Sequence, residues 1–190
     1  IDGGTAEVKN STFKGNSKGI KISGRASPRI ENNTFEDNET PIFLEDGSYP
    51  VFGENLARNN NLDGILVDGS TIITETAWGG NLPYIIENAK GIAGGATLTL
   101  GEGTVIRFKS EAGYLGYLDI RGRLITGGTL ANPVIFTSVS DSPENRWLAL
   151  LFRSSGSVLD GVVIRYGSGG CDAGICWGAI TQFEGVEIEI

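Results

Sequence analysis

Residues 8–24, VKNSTFKGNSKGIKISG, and residues 30–47, IENNTFEDNETPIFLEDG, are two versions of one pattern that recurs after 22 residues. Asparagine keeps this interval at Asn16, Asn38 and Asn60, and again at Asn10 and Asn32. Apolar positions keep it too: Val8, Ile30 and Phe52; Phe13 and Phe35; Ile20 and Ile42; Ile22 and Leu44. A repeat this short cannot enclose a core of its own, so successive copies must stack on one another.

The repeats contain short segments in which apolar residues alternate, KGIKISG, TPIFLEDG and DGILVDG, each ending near a Gly or Asp-Gly turn. Such alternation is typical of β-strands. One strand per repeat predicts a parallel sheet with rungs about 4.8 Å apart, and an all-β solenoid of roughly eight or nine coils. The side chains predicted to face its core are Val8, Phe13, Ile20, Ile22, Ile30, Phe35, Ile42, Leu44, Ile65 and Val67.

The recurring asparagines have two interpretations. In a stack of coils, identical Asn side chains lie above one another and can form a hydrogen-bonded ladder. Alternatively, Asn occurs at these positions because it favours turns and the left-handed conformation. The constant interval favours a structural ladder, which we predict for Asn10, Asn32, Asn16, Asn38 and Asn60.

The two quoted segments resemble the repeats of the right-handed parallel β-helix superfamily, the pectate-lyase-like fold. Residues 95–108, 118–138, 146–152 and 159–167 are similar to the first coils of large secreted β-helix proteins. The resemblance implies a right-handed solenoid in an extracellular or cell-surface protein. It does not identify an activity, because this superfamily includes lyases, hydrolases, adhesins and inert stalks.

The regularity of the repeat divides the chain into two parts. Residues 1–76 are predicted to form regular 22-residue coils, and residues 77–190 a second β-helical stretch with longer loops, which can be continuous with the first. In the second stretch, successive strands are interpreted as marked by Leu98 and Leu100, Leu118 and Ile120, and Leu148 and Leu150. Because both termini fall within apparent strand patterns, we expect the sequence to be a trimmed or excerpted part of a longer protein.

The charge and hydropathy of the chain exclude some partners. A net charge of −8 argues against nucleic acid, because phosphate contacts need clusters of Lys and Arg. No 18-residue apolar run is present, so no membrane span is predicted. The expected partners are other copies stacked end to end or further repeats of a longer chain, with carbohydrate as an alternative.

Cys171 and Cys176 are the only cysteines, in the sequence GGCDAGICWG. In an exported protein this pair predicts a disulfide that closes a small surface loop. Free buried thiols are the alternative. The chain has no His and no further Cys to complete a zinc site.

Three tryptophans, Trp78, Trp147 and Trp177, are candidate carbohydrate contacts, because an exposed indole can stack on a sugar ring. The alternative is that each packs in the core. No metal site or cofactor is predicted. Calcium is an alternative hypothesis, in which oxygen ligands come from Asp46, Asp63, Asp68 and Asp172, although Asp beside Gly is also typical of tight turns.

No catalytic residue is assigned. Arginines on strands and acids such as Asp119 and Asp160 are present, but they form no catalytic motif. Two functional hypotheses therefore stand: a non-catalytic extracellular module acting as stalk, adhesin or filament subunit, and a carbohydrate-binding or polysaccharide-degrading β-helix.

Overall fold

The computed structural model describes residues 1–45, 47–68, 71–87, 89–110, 116–172 and 175–190, with the backbone alone for 171–172 and 175–177. Within these residues every regular element that the structure assigns is a β-strand. From residue 7 to residue 92 the strands are β1 (Glu7–Lys9), β2 (Thr12–Lys14), β3 (Lys18–Ile22), β4 (Arg29–Glu31), β5 (Thr34–Glu36), β6 (Thr40–Leu44), β7 (Val51–Phe52), β8 (Leu56–Arg58), β9 (Ile65–Val67), β10 (Thr71–Ile72), β11 (Thr76–Trp78), β12 (Tyr84–Glu87) and β13 (Ala89–Ile92). From residue 97 onward they are β14 (Thr97–Leu100), β15 (Val105–Lys109), β16 (Tyr117–Ile120), β17 (Arg123–Gly127), β18 (Val134–Ser138), β19 (Leu150–Phe152), β20 (Ser157–Asp160), β21 (Val162–Ile164), β22 (Gly170–Asp172), β23 (Ile175–Trp177), β24 (Ile180–Gln182) and β25 (Ile188–Glu189).

The strands form parallel sheets that run along a solenoid, because each strand pairs with its counterpart one turn of the chain later. Sheet A is β1-β4-β7, sheet B is β2-β5-β8, and sheet C is the seven-stranded β3-β6-β9-β12-β15-β18-β21. Sheet D is β10-β13-β16-β19-β24 and sheet E is β11-β14-β17-β20-β25. One antiparallel hairpin, β22-β23, stands outside this stack. The described chain is therefore a parallel β-helix, as the repeat predicts.

The pairing register explains the 22-residue interval. Val8 pairs with Ile30 and Phe13 with Phe35, in each case 22 positions apart. Residues of one column therefore occupy equivalent places in successive coils and point to the same side of the sheet. The apolar columns point inward and form a continuous core.

Of the ten side chains predicted to face the core, eight are buried: Ile20, Ile22, Ile30, Phe35, Ile42, Leu44, Ile65 and Val67. Val8 and Phe13 pack against the same core but are only partly buried. They lie in the first coil, so the next coil covers them on one side only. Phe13 stacks on Phe35 with ring centroids 5.1 Å apart.

The cross-section of the solenoid changes after the third coil. Residues 53–64 connect β7 to β9 and include β8, whereas only residues 79–83 connect β11 to β12. Sheet B therefore ends at β8, and sheets D and E complete the later coils together with sheet C. Sheet C itself runs through both parts of the chain, from β3 to β21.

The interpretation of the leucine-containing residue pairs in the second stretch as markers of successive strands is confirmed for Leu118 and Leu150, which pair in neighbouring strands, and wrong for Leu98 and Leu148. Leu98 pairs with Leu124 in sheet E, while Leu118 pairs with Leu150 in sheet D. Leu148 lies outside β19. Each coil contributes one strand to each of several sheets. Two strands with similar sequences that are close along the chain can therefore belong to different sheets. Within the described residues, no helix is long and apolar enough to cross a membrane.

Candidate functional site

The first asparagine column, Asn16, Asn38 and Asn60, forms a hydrogen-bonded ladder along the solenoid. Asn16 Nδ2 donates to Asn38 Oδ1, and Asn38 Nδ2 donates to Asn60 Oδ1, both at 2.9 Å. The ladder ends at Asp63, whose Oδ1 accepts from the backbone N–H and the Nδ2 of Asn60 at 3.0 and 2.7 Å. A carboxylate thus occupies the place where the next amide would stand.

Asn10 and Asn32 do not form the second ladder that the sequence predicts. Both are exposed and adopt positive φ, 51° and 55°, which corresponds to the turn interpretation. The second ladder runs through Asn33, Asn55 and Asn81, with Asn33 Nδ2 donating to Asn55 Oδ1 at 3.1 Å and Asn81 Nδ2 to the Asn55 carbonyl oxygen at 2.6 Å. Asn33 and Asn55 are also 22 positions apart, and that signal was present in the sequence.

The carbohydrate prediction is wrong for Trp78 and Trp147, because both are core residues. Trp147 is fully buried, stacks on Phe108 at 4.4 Å and donates its indole N–H to the Arg165 carbonyl at 2.7 Å. Trp78 is 5% exposed and stacks on Tyr84 at 4.7 Å. Neither ring can present a face to a sugar. The side chain of Trp177 lies outside the described residues.

Burial also perturbs Tyr84, the partner of Trp78 in that stack. Removal of the Tyr84 hydroxyl from water raises its pKa well above the usual value, and the Gly79 backbone partly opposes that shift. The hydroxyl donates to the Gly79 carbonyl at 2.9 Å and accepts from the Gly79 N–H at 3.1 Å. Tyr84 is therefore neutral, and its two hydrogen bonds to Gly79 stabilise the short connection between β11 and β12.

Cys171 and Cys176 are directly paired in the antiparallel register of the β22-β23 hairpin. Directly opposite residues in such a pair have Cα atoms about 4.5 to 5.5 Å apart, which is within the range of a disulfide. Their side chains lie outside the described residues, so the disulfide stays a prediction.

Charged residues on the outer faces of sheets A and B form columns of alternating sign. Glu36 accepts from Lys14 at 3.0 Å and from Arg58 at 2.8 Å, each one rung away. Hydrogen bonds from Arg58 and then Lys14 lower the pKa of the Glu36 carboxyl. These pairs are exposed and contribute little individually.

Two of the four acids considered as calcium ligands, Asp63 and Asp68, have side chains within the described residues. Asp63 caps the first ladder, and the Asp68 carbonyl oxygen accepts a 2.7 Å hydrogen bond from Lys90 Nζ. Asp46 and the side chain of Asp172 lie outside the described residues. Elsewhere in the chain, where residues are described, no three acidic, Cys or His side chains are grouped as metal ligands would be.

One small cavity and one open groove lie near the change in cross-section. A small, partly open cavity of ≈ 20 Å³ is lined by Ser48, Tyr49, Thr74 and Trp78 among others. It has room for one water molecule, and Ser48 Oγ is buried there without a protein partner. An open groove of ≈ 370 Å³ is lined by Asn32, Asn33, Thr34, Glu54, Asn55, Leu56 and Asn81.

Asp119 is the acid with the clearest arginine partners, but it forms a surface ion pair. Arg121 Nε lies 2.9 Å from one carboxylate oxygen of Asp119, and Arg153 contacts the other. Both arginines project from the coil surface and are partly exposed. Such a pair can hold adjacent coils together.

Comparison with known proteins identifies the fold family. No curated protein and no solved structure matches the chain. A family model described as a right handed beta helix region matches residues 1–100, more than half of the chain of 190 residues. The matched part contains sheets A and B, both asparagine ladders and the change in cross-section. The chain therefore belongs to the right-handed β-helix family.

Proposed function

We propose that this protein is a non-catalytic structural module, serving as a stalk, adhesin or filament subunit outside the cell. The observation that carries the proposal is the continuity of the stack. Sheet C links seven successive coils through backbone hydrogen bonds, and the amide ladders add side-chain bonds along the same axis in the early coils. Because these hydrogen bonds join successive coils along one axis, the stack is suited to act as a rod that bears load or sets a fixed distance.

The coils at the two ends support association along the axis. Apolar side chains there pack on the core but remain partly exposed, among them Val8 and Phe13 in the first coil and Ile164 and Phe183 near the other end. A further coil would cover them and pair with the open strand edges. We propose that this coil comes from another copy of the chain or from more repeats of a longer polypeptide.

Sedimentation velocity over a wide concentration range tests end-to-end association of this 190-residue chain. We expect oligomers that grow with concentration, and their loss in Phe13→Glu, because the charge would be buried between coils. Ile73→Glu is the matched control, since Ile73 is 65% exposed and unrelated to the end coils. A monomer at all concentrations, or equal effects of the two substitutions, contradicts association between copies.

A glycan array separates the structural proposal from the carbohydrate alternative. Trp78 and Trp147 are buried, so sugar binding would need another surface. We expect no retained glycan. Saturable binding of a defined oligosaccharide would replace the structural proposal with the carbohydrate-binding one.

A further inference from the structure

Sheet B stops at β8 while the solenoid continues, which leaves a free strand edge on the side of the molecule. The Leu56 N–H donates to the Asn33 carbonyl at 2.8 Å, and the Arg58 carbonyl accepts from Asp37 at 3.4 Å. Both residues thus turn their backbone groups towards β5. Alternate residues of a strand turn to opposite edges, so the N–H and C=O of Ala57 point away from the sheet. Within the described chain, neither group has a hydrogen-bond partner.

Side chains of this protein cap the backbone N–H groups on both sides of this edge, at Asn55 and Asn60, but not the edge itself. On one side the Asn55 N–H donates to Asn81 Oδ1 at 2.9 Å, and on the other the Asn60 N–H donates to Asp63 Oδ1 at 3.0 Å. Between these two caps, no strand of the described residues pairs with β8 on its far side, because residues 79–83 pass directly from β11 to β12. The opening therefore has the length of one short strand.

The surroundings of β8 offer space and an apolar contact. The groove of ≈ 370 Å³ described above lies against the start of β8 and is lined by Glu54, Asn55, Leu56 and Asn81 among others. The Leu56 side chain is 50% exposed beside it. A strand laid along β8 would cover this side chain.

The charged side chains near β8 predict which charged residues an added strand should have. The column Lys14, Glu36, Arg58 alternates in sign from rung to rung, with ion pairs of 3.0 and 2.8 Å. Among the described residues, Arg58 pairs with a carboxylate on the β5 side, Glu36, so an acidic side chain on the missing rung would continue the alternation. At the other end of the edge, Glu54 is exposed and lines the groove, where it calls for a basic side chain.

We propose that the β8 edge binds an extended peptide segment of a partner protein, aligned parallel to β8. The segment carries an apolar residue opposite Leu56 and an acidic residue opposite Arg58, and a basic residue before them reaches Glu54 across the groove beyond the Asn81 cap. Backbone hydrogen bonds to Ala57 hold the strand, and the flanking charges set its direction and register, as in other cases of strand addition to a sheet edge. This inference does not rest on the proposed structural function.

The probe for this site is the peptide acetyl-KNVAE-amide, in which Lys, Val and Glu take the three positions described. Its matched control is acetyl-KNVAK-amide, which changes only the acidic residue. Titration into the ¹⁵N-labelled protein is followed through the Ala57 amide, by its chemical shift and its hydrogen-exchange rate. We expect a shift and slower exchange at millimolar peptide. KNVAK should bind about threefold more weakly, as loss of one exposed ion pair implies.

Variants of the protein test the role of charge. In Arg58→Glu the preference should reverse, so that KNVAK binds more tightly than KNVAE. Arg29→Glu is the control, because Arg29 is equally exposed on the outer face of sheet A but lies away from the edge. An unchanged Ala57 amide at millimolar KNVAE overturns the site. Equal affinities of the two peptides, before and after Arg58→Glu, overturn the charge-selected partner. Neither result would affect end-to-end association, which is measured through Phe13→Glu.

Discussion

Replacing Asn55 by alanine tests whether the amide ladder holds the coils together. Asn55 is 5% exposed; its Nδ2 donates to the carbonyl oxygens of Ile30 and Gly53 at 2.9 and 3.0 Å. Its Oδ1 accepts from the backbone N–H and the Nδ2 of Asn33, both at 3.1 Å. Removal of the side chain leaves the buried Asn33 N–H unpaired and breaks the other three bonds. An orphaned buried donor costs about 1 to 3 kcal/mol and each ordinary bond about 1 kcal/mol or less, so we expect a loss of about 3 kcal/mol.

Equilibrium unfolding in guanidinium chloride, followed by circular dichroism, measures this loss. The matched control is Asn32→Gly, since Asn32 is exposed and its φ of 55° suits glycine. We expect the control to change the free energy of unfolding by less than about 0.5 kcal/mol. If Asn55→Ala is as mild as Asn32→Gly, the recurring asparagines stabilise turns alone and the ladder does not hold the coils together.

Three further predictions concern the core, the charged columns and the hairpin. Trp147→Phe should lower the free energy of unfolding by about 2 to 3 kcal/mol, because it leaves a cavity and an unpaired carbonyl; a change below about 0.5 kcal/mol in denaturant unfolding would refute the buried indole bond. Because hydrogen bonding chiefly from Arg58 lowers the pKa of Glu36, its contribution to stability is present above the ordinary glutamate pKa of 4.5 and is lost as the pH falls below it. Unfolding across this range should therefore show a smaller acid-side loss in Glu36→Gln than in the unmodified chain, and identical profiles would contradict the pairing. Cys171 and Cys176 should resist alkylation without reductant, as mass spectrometry reads directly, and two labelled thiols in the native protein would exclude the disulfide.

The recurring interval was sufficient to predict the stacked coils and most of the early core. A column such as Ile20 and Ile42 repeats with the coil, so its inward direction follows from alternation alone. The asparagine ladders were harder to assign. Asn32 and Asn33 are adjacent at a corner of the coil. The Asn33 side chain is buried in the ladder, whereas Asn32 is exposed. The interval between Asn33 and Asn55 would have favoured the correct column, although Ser11 rather than Asn begins it.

The 22-residue period alone predicts that the chain stacks as a parallel β-helix, because a period can be identified in a sequence without knowledge of any contact. Other features depend on how one coil covers the next, and these follow from the folded structure. It buried Trp78 and Trp147, which appear in the sequence only as aromatic residues in variable segments. It also ended sheet B at β8, because residues 79–83 take a shorter path than residues 53–64. The free edge at Ala57 arises from that difference in path, and no spacing within either segment reveals it.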